Sequence, residues 1–391
     1  MPKKLRILHV VPYFPPALHY GGIPNSAYLL AREQSKKHYV EVYTSDTGVN
    51  NIKKHTSFNG IIIHYFRNLL RKPIFGLLIT PGLLLYSFRK LRNFDAIHLH
   101  DYRTFQNAII QWIACRFEIP YIIQPHGTIL RTKKSYTSKY IFDKLLGKSL
   151  LRNASCIFAL NNEEITMCEK LGATRDFIHR VPNGIELADF ANVPEKGIFR
   201  TKYGIPKHVS IVLFIGRLHK IKGVDILLSA FSESRKVYPN SHCVVVGPDF
   251  GFEKVLRTLS KKLGISKHVT FTGPLYGQEK VAALLEANVF VLPSLYETFP
   301  LSILEAYACA LPVIASNVGA IPDLIEEDVT GWIFQKGDIS GLTVALTKSL
   351  LEPSKTRENG IRAQEFVQKY YSIEKVTKMI IEIYKTVLII K

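Results

Sequence analysis

The 391-residue chain is 47% hydrophobic and 21% charged, the composition of a globular protein, and it is too long for one ordinary α/β core. Its net charge of +19 is concentrated early: residues 1–185 hold 26 Lys and Arg against 11 Asp and Glu, and the remainder 25 against 21. Five scattered cysteines without a C-x-x-C exclude a disulfide framework and a zinc site, pointing to buried thiols in a reducing compartment, and no low-complexity block or short repeat is present.

In chain order, the basic start Met1-Pro2-Lys3-Lys4-Leu5-Arg6 passes at once into an apolar run at 7–11, which leaves no room for a signal peptide and predicts a cytosolic protein. Gly21-Gly22 follows, ahead of a helix expected near Asn25-Ser26. A glycine pair there lets backbone N–H groups approach a phosphate, although Gly21-Gly22-Ile23-Pro24-Asn25-Ser26 does not satisfy G-x-G-x-x-G, and a plain tight turn is the alternative. His19 in the same loop is a weaker candidate, for acceptor contact. Further strand-like runs at 40–44, 61–66, 96–100, 121–124 and 156–160 alternate with helical patterns.

Between them, residues 67–92 bracket the apolar stretch 74–88 with Arg67, Arg71, Lys72, Arg89, Lys90 and Arg92. Fifteen residues broken by Pro81-Gly82 fall short of the roughly twenty needed to span a bilayer, so the reading is an interfacial segment with snorkelling cations, or an ordinary pair of core helices. His98 and His100 alternate along one strand and could ligate a metal, but without a clear third ligand they read as structural. His126 lies in Gln124-Pro125-His126-Gly127-Thr128, directly after an apolar strand. A second basic stretch at 131–148 interleaves Lys133, Lys134, Lys139 and Lys144 with Tyr136, Tyr140, Ile141, Phe142, Leu145 and Leu146. It suits lipid headgroups, an anionic acceptor or a solvated helix face.

The stretch after Gly184, including Val193-Pro194-Glu195-Lys196-Gly197, is the expected linker. Beyond it the alternation resumes with strands at 210–215, 243–246, 269–272, 289–292 and 313–315, so that two doubly wound parallel sheets are expected. The first of these exits into Gly216-Arg217-Leu218-His219-Lys220-Ile221-Lys222-Gly223, where Arg217 can fork onto two phosphate oxygens, Lys222 adds a compact charge, and the glycines clear the approach. The run at 289–292 leads through Glu297-Thr298-Phe299-Pro300-Leu301-Ser302 into a helix expected at 302–310. Glu297 is thus placed in a loop at the carboxyl edge of the sheet and Glu305 about a turn inside the helix. A last helix from Ser372 carries Ile373, Val376, Ile380, Ile383 and Val387 as one apolar stripe.

The G-R-L-x-x-x-K-G element, the E-x7-E element about 75 residues later and Val181-Pro182-Asn183-Gly184-Ile185 at mid-chain resemble the retaining glycosyltransferases of family 4 over nearly the whole chain. The resemblance implies the GT-B fold: two Rossmann-like domains facing across a cleft, here 1–183, with the terminal helix 372–391 packed back on it, and 184–371, which would bind a nucleotide-sugar. By family role, Gly21, Gly22, Arg217, Lys222, Leu301 and Ser302 would hold the donor diphosphate. Glu305 would accept from the ribose, Phe299 and Glu297 would face the sugar, His126 would hydrogen-bond it, and Leu275 in Gly273-Pro274-Leu275-Tyr276 would lie at the base.

No D-x-D motif occurs, so no metal or other cofactor is expected, and the leaving diphosphate, UDP or GDP, would be neutralised by Arg217, Lys222 and a helix terminus. The implied activity is sugar transfer to a glycan acceptor, lipid-linked by the basic bracketed segments, on an anionic membrane surface. A soluble transferase making a small glycoside or storage polymer, and a nucleotide-sugar-binding protein without turnover, are the alternatives. Nucleic acid is disfavoured as a partner, because carboxylates at the sheet edge would repel its phosphates.

Overall fold

A computed structural model describes residues 4–17, 21–49, 55–70, 78–129 and 136–389. His19, Arg71, Lys72, Lys133 and Lys134 lie outside them. The chain divides into two compact units, Met1–Gly184 with Ile373–Lys391, and Ile185–Ser372.

The first unit is built on eight strands: β1 (Arg6–Val10), β2 (Tyr39–Ser45), β3 (His55–Phe58), β4 (Ile61–Phe66), β5 (Ala96–His100), β6 (Tyr121–Gln124), β7 (Cys156–Ala159) and β8 (Ile178–Arg180). Their order is β3-β4-β2-β1-β5-β6-β7-β8, parallel except for the β3–β4 pair. Because helices cover both faces, the central strands carry apolar residues on both: Leu8, Val10, Leu99 and Ile123 line one core, Ile7, Val42, Ile122 and Phe158 the other. β3 escaped the sequence reading because His-Thr-Ser-Phe is polar and largely exposed, as an edge strand can be. It joins β4 through Asn59-Gly60, both at positive φ (50° and 76°), the requirement of a two-residue type I′ hairpin.

The Ile373–Ile389 helix closes the second of these cores beside the Gly22–Ser35 helix, with Val376, Ile380, Ile381, Tyr384 and Val387 buried. Tyr384 and Ile381 supply what the predicted stripe assigned to Ile383, which is only partly buried.

The second unit is a wholly parallel sheet of β9 (Ser210–Ile215), β10 (Ser241–Val246), β11 (Val269–Gly273), β12 (Val289–Leu292), β13 (Val313–Ser316) and β14 (Gly331–Phe334), in the order β11-β10-β9-β12-β13-β14. The order reverses between β9 and β12, the switch point at which ligands of open α/β sheets bind. The expected linker is corrected here. Residues 193–197 belong to this unit, where the Glu286 carboxylate accepts the N–H groups of Gly197, Phe199 and Arg200 (3.0, 3.0 and 3.1 Å) and so caps the Ile198–Tyr203 helix.

Candidate functional site

In the second unit, the loop 216–223 leaves β9 and the loop 293–300 leaves β12, its immediate neighbour. Three glycines, Gly223 in the first of these loops, Gly247 after β10 and Gly319 after β13, let the loops at this edge of the sheet pack closely. A Cβ on Gly223 would sit 2.0 Å from Pro293 O, one on Gly247 1.8 Å from Gly216 O, and one on Gly319 1.9 Å from Glu297 O. Backbone hydrogen bonds complete the lock: Leu295 N–H donates to Ile221 O (2.8 Å) and Ala320 N–H to Thr298 O (3.2 Å). Gly319 also has φ +57°. Gly319→Ala is therefore expected to destabilise the unit by about 3 kcal/mol and to shift Glu297, seen as a lower urea midpoint together with weaker donor binding.

Within this frame one predicted cation, Lys222, meets one predicted carboxylate, Glu297. Lys222 Nζ donates to Glu297 Oε1 (2.5 Å), and Ser294 Oγ donates to the same oxygen (2.7 Å), with the Glu297 residue 8% exposed. Lys222 thus holds the loop carboxylate, and its remaining N–H groups are left for an anion. Arg217 is exposed, with its guanidinium 5.3 Å from the Phe250 ring centre and no carboxylate partner among the described residues. The helix after the loop runs Leu301–Ala308, one residue earlier than predicted, so the N–H groups of Leu301 and Ser302 fall in its first turn and are not used by the helix itself. Glu305, on the same helix, accepts from Lys280 Nζ at 2.7 Å. Arg217, Lys222 and the two helix N–H groups are thus the candidate anion-binding groups at the switch point, and Glu297 and Glu305 the candidate acceptors for hydroxyls.

Two residues of the predicted set turn their side chains into the fold. Leu275 is buried at 7%, while its neighbour Tyr276 is 72% exposed. The Phe299 ring packs toward Tyr371, with centroids 6.1 Å apart. Sequence reasoning missed Lys280 and Ser294. Lys280 lies 25 positions from its partner on another helix and carries no local signature. Ser294 was legible, since it stands two residues past the end of β12.

In the first unit, Gly21 precedes the Gly22–Ser35 helix with φ +118°, while a Cβ on Gly21 or Gly22 would meet nothing within 4 Å. The pair thus leaves open space at a helix start, and that helix begins earlier than predicted. His126 follows β6 with φ +54°, ahead of Gly127 at +81°. This left-handed pair is anchored by Glu164, whose oxygens accept Gly127 N–H (2.5 Å) and Leu160 N–H (2.8 Å). Burial pushes the Glu164 carboxyl up to about 7.

The reading of His98 and His100 as lacking a third partner is corrected. β1 and β5 pair with His9 opposite His98, and His9, His98 and His100 place one ring nitrogen each within 4.8 Å of one another, all fully buried. Burial holds His9 down to about 4, His126 down to about 3, and His98 and His100 well below the ordinary imidazole range, so all four are neutral. His98 Nδ1 lies 2.6 Å from the Tyr384 hydroxyl on the terminal helix.

Two family models match the chain: Glycosyltransferase Family 4 over residues 20–189 and Glycosyl transferases group 1 over residues 195–365. The chain belongs to the family 4 glycosyltransferases. A D-inositol 3-phosphate glycosyltransferase of Kineococcus radiotolerans is 26% identical over 364 residues, covering 85% of this chain and 82% of the relative. The UDP-Gal:alpha-D-GlcNAc-diphosphoundecaprenol alpha-1,3-galactosyltransferase of Escherichia coli is 27% identical over 270 residues, 68% of each chain. Among solved structures, Anabaena HepE in complex with UDP superposes with a TM-score of 0.80 at 19% identity, over 98% of this chain and 100% of that one. This glycosyltransferase therefore has the GT-B fold, in which the Arg217–Lys222 loop is an element of the group 1 half.

Proposed function

We propose that this glycosyltransferase moves a sugar from a UDP- or GDP-linked donor to a lipid-linked glycan acceptor, with retention of anomeric configuration and no metal ion. The observation that supports the reading is the pairing of Lys222 with Glu297 at the β9–β12 switch point, with the exposed Arg217 in the same loop as Lys222 and the Leu301 and Ser302 N–H groups at the start of the helix that follows Glu297. In the reaction the bond from the anomeric carbon to the diphosphate breaks as the acceptor oxygen bonds that carbon on the same face, and the acceptor proton passes to the departing diphosphate. Arg217, Lys222 and the helix start take up the charge that develops on the leaving group. Glu305 accepts from the ribose, Glu297 and the Phe299 N–H meet the sugar, and Gly21, Gly22 and His126 of the first unit contribute the donor contacts that the family assigns to them. The backbone around Leu275 meets the base.

The lipid-linked acceptor is supported by the first unit's surface and by the diphosphoundecaprenol named for the Escherichia coli relative. The Gly82–Lys90 helix exposes Leu84, Leu85 and Phe88, the Phe105–Arg116 helix packed on it exposes Trp112, and the 136–152 segment packed on that in turn exposes Tyr140, Ile141, Leu145 and Leu146. The single acid on these elements, Asp143, is buried against Arg103 (2.8 Å), while Arg89, Lys90, Lys144, Lys148 and Arg152 are exposed. No helix among the described residues is long and apolar enough to cross a membrane. Such a face suits docking on anionic lipid from the cytoplasmic side.

The test offers UDP- and GDP-sugars to the purified protein with a polyprenyl-diphosphate-linked sugar in anionic vesicles, with and without EDTA, and reads the product linkage by NMR. Transfer to the lipid with the donor's anomeric configuration, undiminished by EDTA and lost in neutral vesicles, supports every part. Transfer only to soluble sugars favours the maker of small glycosides or storage polymer, and nucleotide-sugar binding without transfer favours a non-catalytic binding protein.

A further inference from the structure

The four neutral histidines of the first unit are not scattered core residues, because three of them form a row that ends at His126. His126 Nε2 lies 3.0 Å from His100 Nδ1, His100 Nε2 lies 2.9 Å from His9 Nδ1, and His9 Nε2 lies 2.7 Å from the Gln34 side-chain oxygen. The His9 and His100 ring centres are 5.2 Å apart with 22° between planes, and those of His100 and His126 are 5.3 Å apart with 19°. Rings so spaced and so nearly parallel, with nitrogens about 3 Å apart, meet edge to edge along N–H···N bonds. His98, by contrast, lies 4.2 Å from His100 at 20°, face on face.

A neutral imidazole has one N–H and one bare nitrogen, so the proton at one end of such a row dictates every proton along it. The end is Gln34, on the Gly22–Ser35 helix, 1% exposed. Its oxygen can only accept, so His9 must carry its proton on Nε2 and present a bare Nδ1. His100 then donates from Nε2 and accepts at Nδ1, and His126 donates from Nε2.

We propose that Gln34, His9 and His100 are positioning residues that fix His126 in the Nε2–H form, so that its bare Nδ1 accepts a hydrogen bond from a hydroxyl of the donor sugar. The inference rests on the reading of His126 as a sugar contact and adds the direction of that contact: the enzyme demands a donor hydroxyl there, and a deoxy donor leaves Nδ1 unpaired. A reversed Gln34 amide would put its NH2 on His9 and turn every proton round, making His126 Nδ1 a donor.

The test is nitrogen-15 NMR of histidine-labelled full-length protein, which reads each ring nitrogen as bare or protonated without reference to activity. The expected result is a protonated Nε2 and a bare Nδ1 at His126 in the wild type. Gln34→Leu should shift His126 to a mixture of the two forms and lower kcat/KM for the donor about five-fold, the worth of one hydrogen bond. A protonated Nδ1 at His126 in the wild type, or His126 signals unmoved in Gln34→Leu, would overturn the proposal. Failure of the underlying reading looks different: His126→Ala would then transfer sugar at the wild-type rate, whatever the spectra show.

Discussion

Arg217→Ala is expected to weaken nucleoside diphosphate binding roughly 100-fold while leaving the unfolding free energy within about 0.5 kcal/mol of wild type. The guanidinium is exposed and meets no carboxylate among the described residues, so nothing in the fold depends on its charge, whereas the two charge-assisted hydrogen bonds proposed to a bound diphosphate would. Lys222→Ala should behave differently. It leaves the Glu297 carboxylate buried with Ser294 alone, and removing one partner of such a pair costs about 3 kcal/mol. Stability and binding should therefore fall together. Adding Glu297→Gln removes the stranded charge, so the double variant should regain most of the stability and none of the diphosphate affinity. Calorimetric titration with UDP and GDP beside urea unfolding distinguishes the cases. Unchanged nucleotide binding in Arg217→Ala would rule out the loop 216–223 as the phosphate site.

Between pH 7.5 and 5 the first unit is expected to lose roughly 6 kcal/mol of stability. The folded-state values of His9, His98, His100 and His126 are depressed, His9 to about 4, His126 to about 3 and the others well below 6.5, because burial disfavours the charged ring, while Glu164, raised by burial to about 7, takes up its proton in the native state over the same range and returns about 2 kcal/mol. Above pH 6.5 both folded and unfolded states are neutral. As the pH falls through 6.5 the unfolded chain binds protons that the native rings refuse, so each buried imidazole withdraws about 1.4 kcal/mol per pH unit, or about 2 kcal/mol at pH 5. That sum rivals the 5–15 kcal/mol of a typical domain. The second unit holds one such ring, His242, lowered to about 4 by burial, and should be the more acid-resistant. Hydrogen exchange at the amides of β1, β5 and β6, compared with those of β9 and β12, measures the two separately, and equal protection at pH 7.5 and 5 would refute the expectation.

Much of the architecture was legible because buried parallel strands are written as uninterrupted apolar runs. Ile61–Phe66, Ala96–His100, Tyr121–Gln124, Ser210–Ile215 and Val289–Leu292 begin and end where the pattern places them. What escaped lacks that pattern. β3 is polar, β8 is three residues long, and β14 opens on a glycine whose Cβ would lie 2.0 Å from Val313 O. The loop 193–197 looked like a linker because Pro, Glu, Lys and Gly are surface residues, but Glu286, about 90 positions away, ties it down. The site shows the same division. Arg217, Lys222, Glu297 and Glu305 stand at strand exits and helix starts, where local sequence identifies them, whereas the Lys280–Glu305 pair and the partnership of His9 with His98 and His100 exist only once strands and helices are assembled.

The division of the chain into units also sets an order of manufacture. The second unit, Ile185–Ser372, is continuous in sequence, while the first needs both the opening 184 residues and the closing helix. On the ribosome, the face that Val376, Ile380 and Tyr384 cover must wait about 10–40 s for some 200 further residues to be made, with Leu30, Val42, Ile122 and Phe158 lacking their final cover. The half that is translated first is thus the half that is finished last, and a nascent chain stalled before residue 372 would present a completed second unit attached to an unsealed first one, a form suited to chaperone capture.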